Sequence, residues 1–138
     1  MIRKITYDTV FIVDDDRTVN LVHRQVIGKM GVAKEIRVFN NPLEALMELR
    51  SDLLSSNKNI LVLLDVNMPE MSGFEFLEAT SQFIGKRAIM DILIITSSID
   101  QLDIEKAIFH PLVNRFMTKP LKSNDILDFF QEGSFISA

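Results

Sequence analysis

Three aspartates fall directly after short apolar runs. Asp14 and Asp15 follow Val10-Phe11-Ile12-Val13, and Asp65 follows Ile60-Leu61-Val62-Leu63-Leu64. Two further runs lead into other reactive types: Ile92–Ile95 into Thr96-Ser97-Ser98, and Arg115–Thr118 into Lys119-Pro120. Carboxylates brought together repel one another, at a cost of roughly 4 kcal/mol for a unit-charge pair about 4 Å apart at an effective dielectric near 20. Such a cluster holds either a proton or a cation. The ligands on offer are oxygens, the chain has no Cys and no His lies nearby in sequence, so the expected cation is hard: Mg²⁺, with Mn²⁺ as substitute. Mg²⁺ commonly bridges carboxylates to phosphate, which points to phosphoryl chemistry. In that chemistry the Asp65 carboxylate attacks phosphorus, Mg²⁺ and Lys119 stabilise the charge of a loose transition state, and Thr96 reads the product.

That chemistry requires the residues to meet, and the elements between them decide whether they can. The five apolar runs are Val10–Val13, Ile36–Phe39, Ile60–Leu64, Ile92–Ile95 and Arg115–Thr118; three are continuous, as in strands buried on both faces of a parallel sheet. Helical patterns separate them. Val19, Val22, Val26, Ile27 and Met30 form the first, and Leu43, Leu46, Met47, Arg50, Leu53 and Leu54 the second, opened by Asn41-Pro42-Leu43-Glu44 as N-cap, N1 proline and N3 acid. Ser72-Gly73-Phe74-Glu75 predicts a capping box before a third helix that turns Phe76, Leu77 and Phe83 inward. A fourth helix carries Ile99, Asp103 and Ala107 with Asp100, Ile104 and Ile108, capped at Ser98 or Asp100; a fifth opens at Ser123-Asn124-Asp125 and buries Ile126, Leu127, Phe129 and Phe130. The alternation predicts an α/β fold, (βα)₅, with a parallel sheet covered on both faces and right-handed crossovers. All strands then end on one edge, where ligands of such sheets bind. If the first and third strands are neighbours, the three carboxylates converge.

A chain of 138 residues fits one domain, and two halves would be too small to bury good cores. The last helix is expected to end near Glu132-Gly133, leaving only Ser134–Ala138 and no output domain. Fifteen Lys and Arg against 19 Asp and Glu, with no basic tract, offer nucleic acid no surface for counterion release. The residues Met1 to Asp8 lack the apolar core of a signal peptide, and the apolar runs are too short to span a bilayer, so a soluble cytoplasmic protein is expected.

The segments Val13-Asp14-Asp15-Asp16, Leu64-Asp65-Val66-Asn67-Met68-Pro69-Glu70-Met71-Ser72-Gly73, Ile94-Ile95-Thr96-Ser97 and Thr118-Lys119-Pro120, in this order, resemble a response-regulator receiver domain. The resemblance covers about residues 8–131. The stretch from Asp65 to Gly73 is the most specific; the other three are weak alone and strong in combination. The resemblance implies a flavodoxin-like, doubly wound fold with five parallel strands in the order 2-1-3-4-5. It implies that Asp65 is the phospho-acceptor, that Asp15 and Asp65 ligate Mg²⁺ directly with Asp14 acting largely through water, and that Asn67 supplies a backbone carbonyl to the metal. Thr96 would be the switch hydroxyl, Lys119 the phosphate partner, and Lys119-Pro120 a cis peptide. Phe116 stands where the family often has a switch tyrosine. Asn67 and Ser98 would flank the path of a hydrolytic water and so modulate the phosphoryl lifetime. His110-Pro111-Leu112-Val113-Asn114 departs from the family's small, glycine-containing turn, which leaves the path of that loop open.

The implied partners are a histidine kinase or phosphotransfer protein as donor and a downstream protein, reached through the fourth helix, fifth strand and fifth helix. The chain would be a monomer or a phosphorylation-dependent dimer. Each residue also has a plainer reading. Asp14-Asp15-Asp16 could be helix-capping acids, Asp65 a loop acid, Thr96 a β-branched strand end and Lys119 a surface lysine; only their combination argues otherwise. His23 and His110 read as structural or solvated. Two other functions compete with the switch. A receiver could act as a phosphorylation-independent scaffold. An Asp-nucleophile phosphohydrolase would place an acid two residues after the nucleophile, where this chain has Asn67. The chain is therefore not read as an enzyme beyond self-catalysed phosphorylation and dephosphorylation. A flavodoxin-like cofactor binder would want a phosphate-cradling loop after the first strand, where this chain has acids.

Overall fold

A computed structural model describes residues 6–55, 57–84, 89–98 and 100–131. Five strands alternate with five helices: β1 (Tyr7–Val13), α1 (Arg17–Met30), β2 (Ala33–Phe39), α2 (Pro42–Ser55), β3 (Asn59–Leu64), α3 (Gly73–Ser81), β4 (Ile89–Thr96), α4 (Gln101–Phe109), β5 (Arg115–Thr118) and α5 (Ser123–Gln131). The strands form one parallel sheet in the order β2-β1-β3-β4-β5. This is the flavodoxin-like α/β fold that the sequence predicts. β1 to β4 begin one to three residues before their apolar runs, and polar residues such as Asp8, Lys34, Asn59 and Asp91 join the strands there; Asp8 accepts from the Asn59 amide at 2.8 Å.

The continuous apolar runs fill both faces. From β3, Ile60, Val62 and Leu64 enter the core beneath α2, α3 and α4, while Leu61 and Leu63 enter the core beneath α1 and α5. β4 divides the same way, Ile92 and Ile94 to one side, Leu93 and Ile95 to the other. Each such side chain contributes about 1.5–3 kcal/mol relative to exposure, so a register slip that inverted either strand would be prohibitive.

The helix boundaries follow local chemistry. Asp16 caps α1 by accepting from Thr18 N and Val19 N, and Gly31 ends that helix in the left-handed region at φ 64°. Asn41 accepts from Leu43 N at 2.9 Å and so opens α2. Ser72 and Glu75 form both halves of the predicted capping box. Of the two caps open to α4, the structure uses Asp100, whose side chain accepts from Leu102 N.

The buried faces of three helices differ from expectation. On α2 the buried residues are Pro42, Ala45, Leu49 and Leu53, while Leu43, Met47 and Leu54 point outward. On α1 the inward face is Asn20, His23 and Ile27, and Val22 is exposed. On α5, Ile126, Phe129 and Phe130 are buried but Leu127 is exposed. The expected end of the last helix at Glu132-Gly133 and the tail Ser134–Ala138 lie outside the described residues, as does Ile99 of the fourth-helix pattern. Among the described residues, no helix is long and apolar enough to cross a membrane.

Candidate functional site

The sheet register assembles the site. β1 and β3 pair with Val13 opposite Leu64, and the ladder continues one rung further as Asp65 N donates to Val13 O at 3.1 Å. Asp14 and Asp65 therefore leave adjacent strands side by side. They stand at the switch point of the topology, since the chain goes from β1 outward to β2 and returns to β3 on the other side. β4 and β5 end with Thr96 opposite Thr118, and Lys119 N donates to Thr96 O at 3.0 Å. One row along the carboxyl edge thus holds Asp14, Asp65, Thr96 and Lys119. Lys119-Pro120 is a cis peptide.

The side chains meet as the backbone allows. Lys119 Nζ lies 2.6 Å from Asp14 Oδ2 and 3.4 Å from Asp65 Oδ2. Asp14 Oδ1 accepts from Asp16 N at 2.9 Å, so both oxygens of Asp14 are engaged within the protein. Asp65 is only 4% exposed, and its Oδ1 is shut off from solvent with no hydrogen-bond partner. Asp15 is exposed, and one carboxylate oxygen from each of Asp14, Asp15 and Asp65 lies within 4.8 Å of the others. A buried carboxylate oxygen without a donor, beside two further carboxylates, fits a hard divalent cation.

Electrostatics agree with that fit. Burial and the charge of Asp14 push the Asp65 carboxyl above the ordinary range, against the pull of Lys119 and of the nearby Thr96 hydroxyl. Burial alone would depress the Lys119 ammonium, but its bond to Asp14 and the charge of Asp65 outweigh burial and raise it. The amine is therefore a fixed positive charge, and the ionised form of Asp65 would gain from further positive charge beside it.

The remaining predicted residues surround this row. Thr96 is fully buried, and its Oγ1 accepts from Ser98 N at 3.2 Å. Ser98 Oγ donates to Asp103 Oδ2 at 3.0 Å. Asn67 is exposed, two residues beyond Asp65. Phe116 is half-buried against the core beneath α2, α3 and α4. The His110–Asn114 loop, open in the sequence, is fixed by its own side chains. His110 Nδ1 accepts from Leu112 N at 3.1 Å, and Asn114 Oδ1 accepts from Ile92 N at 2.8 Å. His110 Nε2 meets Glu78 at 3.1 Å.

Asn20 escapes a reading by motif, whereas Gly73 closes the most specific one and the structure shows its physical reason. Asn20 donates through Nδ2 to Asp14 O at 2.7 Å, Phe39 O at 3.2 Å and Asn40 Oδ1 at 2.8 Å, which ties the first loop to the end of β2. Its signal is the Asn20, His23, Ile27 spacing, which puts two polar residues on the inward helix face. Gly73 sits so close to the loop after β3 that a Cβ would collide with the carbonyl oxygen of Asp65 and lie 2.9 Å from Val66 Cα. Its own amide donates to Val66 O at 2.8 Å. At the far end of the sheet Tyr7 Oη donates to buried Asp91 at 2.8 Å and Asn114 Nδ2 donates to the same carboxylate at 3.1 Å, which satisfies a polar group otherwise costly to bury.

Comparison with known proteins places this arrangement. The chain matches the response regulator receiver domain over residues 10–131, and it belongs to that family. The solved two-component response regulator of Cytophaga hutchinsonii is 23% identical, with a TM-score of 0.79 over 92% of this chain and 96% of that one. A response regulator receiver protein of Dyadobacter fermentans is 26% identical, with a TM-score of 0.77 over 90% of this chain and 95% of that one. The CheY of Borrelia burgdorferi, solved with CheX, BeF₃ and Mg²⁺, is 19% identical, with a TM-score of 0.72 over 91% of this chain and 88% of that one. No curated protein is matched by the sequence.

Proposed function

We propose that this receiver is a phosphorylation switch whose acceptor is Asp65. The observation that carries the reading is the unpartnered, buried Oδ1 of Asp65 beside Lys119 and two further carboxylates. Asp15, Asp65 and the backbone carbonyl of Asn67 would hold Mg²⁺, with Asp14, already bonded to Lys119, one shell further out. When bound, the ion neutralises charge on the phosphoryl oxygens. The relative from Borrelia burgdorferi carries Mg²⁺ and BeF₃ on the same fold, which supports this choice of cation.

The protein's own residues do the rest. A carboxylate oxygen of Asp65 attacks phosphorus; the new O–P bond forms as the donor's bond to phosphorus breaks, and the donor leaves with the electron pair. The donor is a phosphohistidine of a histidine kinase or phosphotransfer protein, or a small acyl phosphate. Lys119 holds positive charge against the transferred group. Thr96 then turns its hydroxyl toward a phosphoryl oxygen and Phe116 moves into the vacated space, a shift between two states read by a partner protein. Leu102, Ile108 and Phe109 of α4 and Leu127 of α5 are exposed apolar side chains on the face where that partner would dock.

Incubation with Mg²⁺ and a small acyl phosphate tests the reading. Intact mass should rise by one phosphoryl group in the wild type and stay unchanged in Asp65→Asn. A wild type that gains no mass is a scaffold. Repeated turnover of simple phosphate esters would instead make the chain a phosphohydrolase, a role to which Asn67 contributes no acid.

A further inference from the structure

Helix α4 begins with an unusual hydrogen-bond arrangement. In a capping box the N3 acid reaches back to the amide of the N-cap. Here Asp103 stands at N3 and Asp100 at the N-cap, but Ser98 Oγ lies between them. The hydroxyl donates to Asp103 Oδ2 at 3.0 Å and accepts from Asp100 N at 3.4 Å. The backbone amide of the same serine donates to Thr96 Oγ1 at 3.2 Å. One residue therefore connects the buried hydroxyl at the site to the first turn of a helix that exposes Leu102, Ile108 and Phe109, the last 81% exposed.

We propose that Asp103 is a positioning residue that restrains the switch: by holding Ser98, whose amide donates to Thr96 Oγ1, it keeps the Thr96 hydroxyl in the resting position. The proposal rests on the phosphorylation reading above and names a regulator of that site. A hydroxyl has one proton to donate. When Thr96 gives that proton to a phosphoryl oxygen on Asp65 and moves toward it, the 3.2 Å contact to Ser98 N stretches unless Ser98 follows. Ser98 follows only by leaving Asp103 or by pulling the first turn of α4 along. A contact present in the resting state alone biases the equilibrium against the switched state by its own worth. The same bond gives the site a route to α4.

The test is calorimetric titration of the full chain with beryllofluoride in the presence of Mg²⁺, a mimic of the phosphoryl group. Asp103→Ala and Ser98→Ala should each tighten binding by about tenfold, equivalent to ~1.4 kcal/mol. The double variant should match Ser98→Ala, since the 3.0 Å bond between Ser98 and Asp103 is common to both singles and the longer 3.4 Å contact from Asp100 N is lost with Ser98 alone. Asp103→Asn keeps an acceptor oxygen and should stay within about twofold of the wild type. If Asp103 serves only as a first-turn acid facing the helix dipole, Asp103→Asn behaves like Asp103→Ala and Ser98→Ala changes nothing; that outcome overturns the proposal. Unchanged or weaker binding in Asp103→Ala also overturns it. A wild type that binds no beryllofluoride contradicts the phosphorylation reading itself, and the restraint with it. Ser98→Ala, which leaves the helix acids in place, keeps the test valid should Asp103→Ala fold poorly.

Discussion

Asp65 is where the protein accepts an energetic cost by burying a carboxylate at the edge of the sheet. Its carboxyl is held above the ordinary range chiefly by burial, then by Asp14. The sign of the consequence follows from linkage. Below the ordinary carboxylate pKa of about 3.9 the group is neutral in both folded and unfolded chains and costs nothing; above the raised folded value the full cost of burying the charge is present. Asp65→Asn should therefore stabilise the metal-free protein at pH 7 by about 1 kcal/mol, since Lys119 keeps its partner Asp14, and the gain should fade as pH falls toward 4. Thermal unfolding of both proteins across that range checks this; a destabilised variant at neutral pH would contradict it. His23 works with the opposite sign. Burial first, then Lys119, lowers its pKa from 6.5 to about 4, and its Nε2 has no partner. The unfolded chain takes up a proton below about 6.5 that the folded chain refuses, so stability is complete above that pH and is lost progressively toward 4, by up to about 3 kcal/mol. Replacing His23 with Leu should flatten this acid-side slope in urea titrations, and an unchanged slope would show that other groups cause it. The acids, the lysine and the threonine were legible in the sequence because each stands at, or one or two residues beyond, the end of an apolar run. The partners of Asn20 and Ser98 were not, because a hydrogen bond between loops is decided only once the elements are packed.

At the level of elements, caps and turns are read more reliably than faces. Ser72 with Glu75, and Asn41 before Pro42, make local bonds that the sequence encodes within a few residues. The inward face of α2 is set by its docking on the sheet. There Ala45 and Leu49 pack inward, whereas the Leu43 and Met47 of the expected stripe face solvent. A helix rich in Leu offers more than one apolar stripe, and periodicity cannot choose between them. Gly73 links element to site, because α3 starts against the backbone of the loop that carries Asp65. Gly73→Ala would place a methyl against Asp65 O and Val66 Cα, and neither is the end of a flexible side chain. The loop must shift, at a cost of about 2 kcal/mol in urea unfolding, and mass gain from an acyl phosphate should slow in parallel. Wild-type labelling in a destabilised Gly73→Ala would separate the stability of the loop from the position of Asp65.

The whole molecule turns five distant stretches of sequence into one edge. Because every strand is parallel and every crossover returns to the same end, side chains from Asp14 to Lys119 arrive in a row without long loops to carry them. The order of the strands came from the resemblance of motifs, since alternation of strands and helices alone gives a parallel sheet without fixing which strands are neighbours. That adjacency is what makes Asp14 and Asp65 share a pocket, and the remaining claim is chemical. Treatment with Mg²⁺ and a small acyl phosphate, followed by borohydride reduction and peptide mass mapping, reads it directly: an aspartyl phosphate is reduced to homoserine while a free carboxylate is not. Conversion at residue 65 and at no other acid is the expected result. Conversion at Asp14 or Asp15 in its place, or at no residue, would contradict the account.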